Sequence, residues 1–173
     1  MNSSMEGHEQ NLSCEFNENL AILRGIRFFS EFPLEMLKIL AYLCTRENFK
    51  AGDYLFRQKD DDGLAFYIIS GKARLTQNQE TRAFRDIEKG AFLGSLALLS
   101  KAPRIFSLQA LTDMCCLIMS REKFAKAMEQ FPELIPKILK TVSENVHTWE
   151  QRFIAESGES CEKCFQQLGV SLI

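Results

Sequence analysis

The sequence is poor in the residues on which several protein classes depend. Histidine occurs only twice, as His8 and His147, and neither is grouped with a serine or cysteine as nucleophile and base would be. Apolar runs such as Cys115 to Met119 are far shorter than the roughly 20 residues that cross a bilayer. Basic residues number 21 against 23 acidic ones, without the basic excess typical of nucleic-acid-binding domains. We therefore predict a non-enzymatic protein with no catalytic residues, no membrane contact and no direct contact with nucleic acid.

The cysteines indicate a reducing compartment. Six cysteines in 173 residues do not amount to a disulfide scaffold. Cys44, Cys115 and Cys116 lie in apolar runs, where reduced thiols pack as small hydrophobic groups. Because the polar, acidic N-terminal segment also lacks the features of a signal peptide, the sequence predicts a cytoplasmic location.

Two groups of side chains have the chemistry of metal ligands. Cys161 and Cys164 lack histidines or further cysteines at ligand spacing. The carboxylates Asp60 to Asp62 lack the remaining positions of a calcium loop, and we interpret them as a solvated turn. We therefore predict no metal site.

The apolar content is sufficient for one compact domain. Hydrophobic residues make up 46% of the chain and include 14 phenylalanines. Residues 1–15 have few apolar side chains and no regular spacing, which is typical of a flexible N-terminal tail. We divide the rest into a domain over residues 16–131, a long C-terminal helix over 132–156 and a C-terminal tail over 157–173.

Within the domain, the apolar spacing changes from helical to alternating. An apolar stripe from Leu20 to Ile26 and the segment from Pro33 to Leu43 predict two N-terminal helices. From Arg46 to Ser120, short runs alternate between apolar and polar residues and are separated by turn residues. Eight short strands at this spacing predict an antiparallel β-roll or jelly roll. The predicted fold class is therefore mostly β, with helices before the roll and a long helix after it.

The C-terminal helix carries a long apolar stripe. Its members recur at spacings of three and four: Ile135, Ile138, Val142, Val146, Trp149 and Phe153. The stripe either lies on the roll or forms the seam of a homodimer through the helix Ile135–Phe153, and both alternatives stay open.

Residues Leu93 to Phe106 contain the main binding signal of the chain. Gly94 lets the backbone approach a ligand, and Ser95 to Leu99 can form a short helix whose first N–H groups face an anion. Arg104 follows Pro103 and supplies a planar cation whose donors suit phosphate. Taken alone, the same pattern also fits a surface turn with a solvated arginine.

The order of the surrounding segments resembles the cyclic-nucleotide-binding domain family. The matching segments are Phe49 to Gln58, Asp62 to Leu75, and Gly90 to Gly94 followed by Pro103-Arg104. The resemblance covers about residues 20–156 and implies a β-roll, a phosphate-binding cassette over residues 93–106 and a hinge helix from Arg121 onward. It implies cyclic AMP or cyclic GMP as the ligand, and as ligand-binding residues Gly94, Ser95, Leu96, Ala97, Arg104, Ile105 and Phe106.

The cassette departs from the pattern of this family. Members that bind a cyclic nucleotide usually have Phe-Gly-Glu, with the glutamate on the ribose hydroxyl, where this chain has Leu93-Gly94-Ser95. Ile105 and Phe106 replace the small residues that usually follow the arginine. Two functions therefore stay open. One is a sensor that binds a cyclic nucleotide or another small anion at Arg104, and the other is an interaction or dimerisation module whose pocket is closed by Ile105 and Phe106.

Overall fold

The structure, a computed structural model, describes residues 3–77 and 82–157. The chain divides into two compact units, one up to Pro132 and one from Glu133 onward. In chain order, the helices and strands are α1 (Ser3–Gly25), α2 (Leu34–Leu43), β1 (Thr45–Phe49), β2 (Tyr54–Phe56), β3 (Leu64–Ser70), β4 (Lys72–Gln77), β5 (Arg82–Glu88), β6 (Phe92–Leu93), α3 (Ser95–Leu99), β7 (Ser107–Ala110), β8 (Met114–Ser120), α4 (Arg121–Met128) and α5 (Ile135–Ser157). Single 3-10 turns over Arg27–Phe29 and Pro132–Leu134 precede α2 and α5.

The strands form two four-stranded antiparallel sheets that enclose an apolar core. Their orders are β1-β8-β3-β6 and β2-β7-β4-β5. The core is formed by side chains from both sheets, among them Leu55, Phe56, Phe66, Ile68, Leu108, Cys116 and Ile118. Because β8 lies between β1 and β3, five of its seven residues are buried, and six of the seven are apolar. The prediction of an antiparallel β-roll with flanking helices is confirmed.

An aromatic cluster fixes the position of β6, the strand that leads into the cassette. The ring of Phe29 in the first 3-10 turn lies 5.5 Å from Phe92 in β6 and 6.5 Å from Phe124 in α4, measured between ring centroids. Phe28 and Phe32 pack against the same rings. Ring contacts of this kind stabilise a fold beyond the contribution of the buried ring surface. The N-terminal turn, β6 and α4 are therefore held together beside the cassette.

The N-terminus differs from the prediction. Helix α1 begins at Ser3, so most of residues 1–15, which the sequence assigns to a flexible tail, lies in a helix. Seven of residues 1–15 are glutamate, methionine, glutamine or leucine, which have good intrinsic helix propensity even where no apolar period is present. The prediction relied on apolar spacing and ignored that propensity.

Two cysteines behave as core residues, as predicted. Cys44 and Cys116 are buried, and burial raises the pKa of each thiol to about 12. Cys115 is only partly buried, and burial raises the pKa of its thiol as well. These three thiols and that of Cys14 are free. Cys161 and Cys164, which we considered above as possible metal ligands, lie outside the part of the chain that the structure describes.

Helix α5 extends over Ile135–Ser157, close to the predicted bounds of 132–156. Its apolar residues face more than one direction, since Ile138 is buried whereas Ile135 and Val146 are about half exposed. Neither α5 nor any other helix within residues 3–77 and 82–157 has both the length and the apolar character of a membrane-spanning segment.

Candidate functional site

The turn at Gly94 joins β6 to α3 and brings three elements into close contact. Gly94 has φ of 89°, in the left-handed region that favours glycine. A Cβ at this position would lie 2.7 Å from the carbonyl oxygen of Leu64 in β3 and 2.8 Å from Nη1 of Arg104. Glycine is therefore needed for the backbone conformation and for the approach of β3 and of the arginine side chain.

Arg104 is buried beside this turn, with 7% of its side chain exposed. Its Nε and Nη2 donate to Oδ2 and Oδ1 of Asp62 over 3.1 and 2.6 Å, and Nη2 also donates to the carbonyl oxygen of Leu64. The third nitrogen, Nη1, lies next to Gly94. One edge of the guanidinium thus faces Asp62, and Nη1 is directed to the start of α3. The alternative of a solvated arginine on a surface turn is wrong.

Aromatic rings cover the face of the same guanidinium. The Cζ atom of Arg104 lies 4.1 Å from the ring centroid of Phe56 and 5.8 Å from that of Phe66. Phe106 also contacts Phe56, with the two ring centroids 5.7 Å apart. Phe106 therefore supports the ring that covers the guanidinium. Ile105 is 71% exposed, which argues against the alternative in which its side chain helps to close a pocket.

The other predicted ligand-binding residues lie in α3 and face different ways. Ser95 is partly buried, Leu96 is 57% exposed and Ala97 is buried. The backbone N–H of Ala97 donates to the carbonyl oxygen of Gly94 over 3.0 Å, which closes the turn. The structure thus brings Gly94 and Arg104 together, whereas the side chains of Leu96 and Ile105 are largely exposed.

The acidic loop, which we define as Asp60–Gly63, has partners that the sequence does not indicate. Asp62 binds Arg104, and Asp61 binds Nη2 of Arg121 at the start of α4. The loop is exposed, as a solvated turn would be, but the carboxylates of Asp61 and Asp62 are paired with arginines, and their side chains are 32% and 20% exposed. Only the three consecutive acidic residues before a strand marked this loop in the sequence.

In the part of the chain that the structure describes, neither a metal cluster nor a histidine lies at the cassette. Within residues 3–77 and 82–157, no three or more histidine, cysteine, aspartate or glutamate side chains are placed to hold a metal ion. His147 lies in α5, where its ring contacts Gln151 and is 4.0 Å from the carboxylate of Glu150. Beside the cassette, the guanidinium of Arg104 is paired with the carboxylate of Asp62.

Comparison with known proteins gives a consistent set of similarities. Residues 46–131 match the model of the cyclic nucleotide-binding domain. Human cGMP-dependent protein kinase 2 is 26% identical over 156 residues, or 87% of this chain and 20% of the kinase. The cAMP-dependent protein kinase regulatory subunit of Blastocladiella emersonii is 32% identical over 90 residues, or 50% of this chain and 22% of that protein.

Solved structures show the same fold. The cyclic nucleotide-binding-like protein from Brucella abortus is 29% identical and superimposes with a TM-score of 0.59. The match covers 65% of this chain and 98% of the Brucella chain. By contrast, this chain spans only about a fifth of the length of the two kinase relatives.

Proposed function

Because the chain belongs to the cyclic nucleotide-binding domain family through residues 46–131, we propose that it is a non-enzymatic regulatory module that senses a cyclic nucleotide at the cassette. The observation that carries the proposal is the burial of Arg104 beside Gly94, with Nη1 next to the turn into α3. The relatives are named for dependence on cGMP and on cAMP, so both nucleotides are the ligands to test.

In this proposal, Arg104 and the N–H groups of Ser95 and Leu96 bind the cyclic phosphate. A planar guanidinium and the first N–H groups of a short helix both suit an anion. The neutral Ser95 stands where a carboxylate would bind the ribose hydroxyl. Losing one charge-assisted hydrogen bond, worth roughly 1.5–3 kcal/mol, weakens binding about tenfold to a hundredfold. We therefore propose a sensor of low affinity.

Titration calorimetry with cyclic AMP and with cyclic GMP tests this function. The unsubstituted protein should bind at least one of them, and Arg104→Gln should bind it at least tenfold more weakly, as expected when a charged hydrogen-bond donor is removed. Arg74→Gln is the matched control, because Arg74 forms a similar two-nitrogen contact with Asp86 in the hairpin β4–β5. Circular dichroism checks that each variant is folded. Absence of heat with both nucleotides at millimolar concentration would overturn the proposal.

A second function, an interaction module without a ligand, is favoured by one observation. The carboxylate of Asp62 already neutralises Arg104, and Phe106 occupies the space beside Phe56. An arginine with an internal counter-ion attracts an external anion less strongly. The same titration separates the two functions, since this module would give no heat with either nucleotide.

We also propose that α5 pairs with a second copy of the chain. Ile135, Leu139 and Val146 expose 52%, 64% and 44% of their surface at spacings of four and seven, whereas Ile138 is buried. Light scattering coupled to size exclusion should therefore give a dimer at about 100 µM, a concentration at which weak protein pairs form. Leu139→Glu should give a monomer, and Tyr42→Glu, at a position 81% exposed in α2, should not change the mass. A monomeric unsubstituted protein would contradict the dimer.

A cytoplasmic location belongs to the same proposal. It is supported by the free thiols of Cys14, Cys44, Cys115 and Cys116, since reducing compartments keep cysteines unpaired. A cytoplasmic module of this kind would meet cyclic nucleotides made inside the cell.

A further inference from the structure

Arg104 keeps one nitrogen that its contacts within the roll do not use. Its Nε and Nη2 donate to Asp62 and to the carbonyl oxygen of Leu64. Within the part of the chain that the structure describes, Nη1 makes no hydrogen bond, and it is not among the fully buried polar atoms that lack a partner, so it still reaches solvent. Two N–H groups of a buried guanidinium therefore remain for an external acceptor beside Gly94.

Ser95 supplies a second unused donor beside this nitrogen. It follows Gly94 directly, and a Cβ at Gly94 would lie 2.8 Å from Nη1 of Arg104. The side chain of Ser95 is partly buried, and its hydroxyl has no partner among the described residues. A hydroxyl can donate a hydrogen bond to an anion and carries no charge, whereas an ionised carboxylate only accepts. The position after the glycine therefore does not repel an anion.

The two ion pairs beside the cassette are each neutral overall. The guanidinium of Arg104 is paired with Asp62, and that of Arg121 is paired with Asp61. A glutamate in place of Ser95 would add a negative charge without a partner in these pairs. Because electrostatic repulsion is proportional to the charge of the ligand, such a glutamate would disfavour a doubly charged anion more than a singly charged one. With serine at this position, that discrimination is absent.

We propose that the cassette binds phosphomonoesters, in particular nucleoside 5′-monophosphates, at least as tightly as cyclic nucleotides. A phosphomonoester carries about 1.5 to 2 negative charges at pH 7 on three acceptor oxygens, whereas a cyclic phosphate carries a single charge on its two free oxygens. The more highly charged group competes better with Asp62 for the guanidinium of Arg104 and can also accept from the hydroxyl of Ser95. The inference rests on the anion site that the proposed function places at Arg104, but it does not require that a cyclic nucleotide binds there.

Titration calorimetry of the unsubstituted protein with matched nucleotides tests the inference. The pairs are 5′-AMP with cyclic AMP and 5′-GMP with cyclic GMP, so that each comparison keeps the base and changes only the phosphate. For at least one base, the monophosphate should bind as tightly as the cyclic form or up to about tenfold more tightly. Arg104→Gln should weaken the binding of both forms. Tighter binding of the cyclic form with both bases would overturn the inference.

Ser95→Glu tests whether the charge at this position decides the preference. The monophosphate should bind this variant about tenfold more weakly than the unsubstituted protein, while the affinity for the cyclic form should fall by less than about threefold or rise. Ser95→Gln is the matched control, because it adds a side chain of the same size without a charge, and it should keep the preference of the unsubstituted protein. Equal weakening of both ligands by Ser95→Glu would contradict the inference, since the added side chain would then act through its size. Circular dichroism checks the folding of each variant, and the comparison on the unsubstituted protein needs no variant at all.

The same titrations separate a failure of the inference from a failure of the proposed function. Binding of the cyclic form alone supports the proposed function and contradicts the inference. Binding of the monophosphate alone supports the inference and contradicts the sensing of a cyclic nucleotide. Absence of heat with all four nucleotides at millimolar concentration contradicts both.

Discussion

Replacing Gly71 with alanine is expected to destabilise the domain by about 3 kcal/mol or more, because two separate costs coincide at this residue. Gly71 turns the chain from β3 into β4 with φ of 89°, a conformation that alanine rarely adopts. The added Cβ would also overlap Cβ of Met114 and lie 2.6 Å from the carbonyl oxygen of Asp113. Met114 is 3% exposed at the start of β8, so neither backbone has room to move.

Unfolding in urea, followed by circular dichroism, measures this effect, and Gly52→Ala is the matched control. Gly52 has a similar φ of 95°, but a Cβ there would have no neighbour within 4 Å. Gly52→Ala should therefore lower the free energy of unfolding by only about 1 kcal/mol, the cost of placing alanine at a positive φ. If both variants lose the same stability, the turn between β3 and β4 relaxes away from β8 and the steric part of the prediction is wrong.

Much of the fold could be predicted from the sequence because its elements are short and well separated. Turn residues separate the short strands, and Pro33 marks the start of α2. Strand β6 is harder to predict, because its two residues, Phe92 and Leu93, are too few to show alternation. The early start of α1 was missed for the opposite reason, since its helix propensity has no accompanying apolar period.

The candidate site could be predicted only in part, because its counter-ions are distant in sequence. Gly94 and Arg104 lie within one short segment, so the sequence alone indicates a turn and a cation that could together bind an anion. Asp62 lies 42 residues before Arg104, and Asp61 lies 60 residues before Arg121. No local pattern links such residues, so the pairs follow from sheet topology alone. The role of Phe106 as a support for Phe56 depends on topology in the same way.

Removing the carboxylate of Asp62 is expected to destabilise the domain by about 3 kcal/mol, since a buried guanidinium then loses its counter-ion. Arg104 then keeps its contacts with the carbonyl oxygen of Leu64 and with the rings of Phe56 and Phe66. Asp62→Ala, measured by unfolding in urea, tests this value. Asp86→Ala is the control, because the contact between Asp86 and Arg74 is exposed and such surface pairs contribute little.

The double variant Asp62→Ala with Arg104→Met distinguishes the loss of an ion pair from the loss of packing. Methionine keeps an apolar chain against Phe56 but carries no charge, so no uncompensated cation remains in the roll. The double variant should therefore be more stable than Asp62→Ala alone, although it lacks one more polar group. A double variant that is less stable than Asp62→Ala would show that Arg104 contributes through its contacts with Leu64 and Phe56, and that Asp62 is not its essential counter-ion. If the double variant is the more stable one, the charge of Arg104 is costly to keep in the roll, which is the expected property of a residue held there to bind an anion.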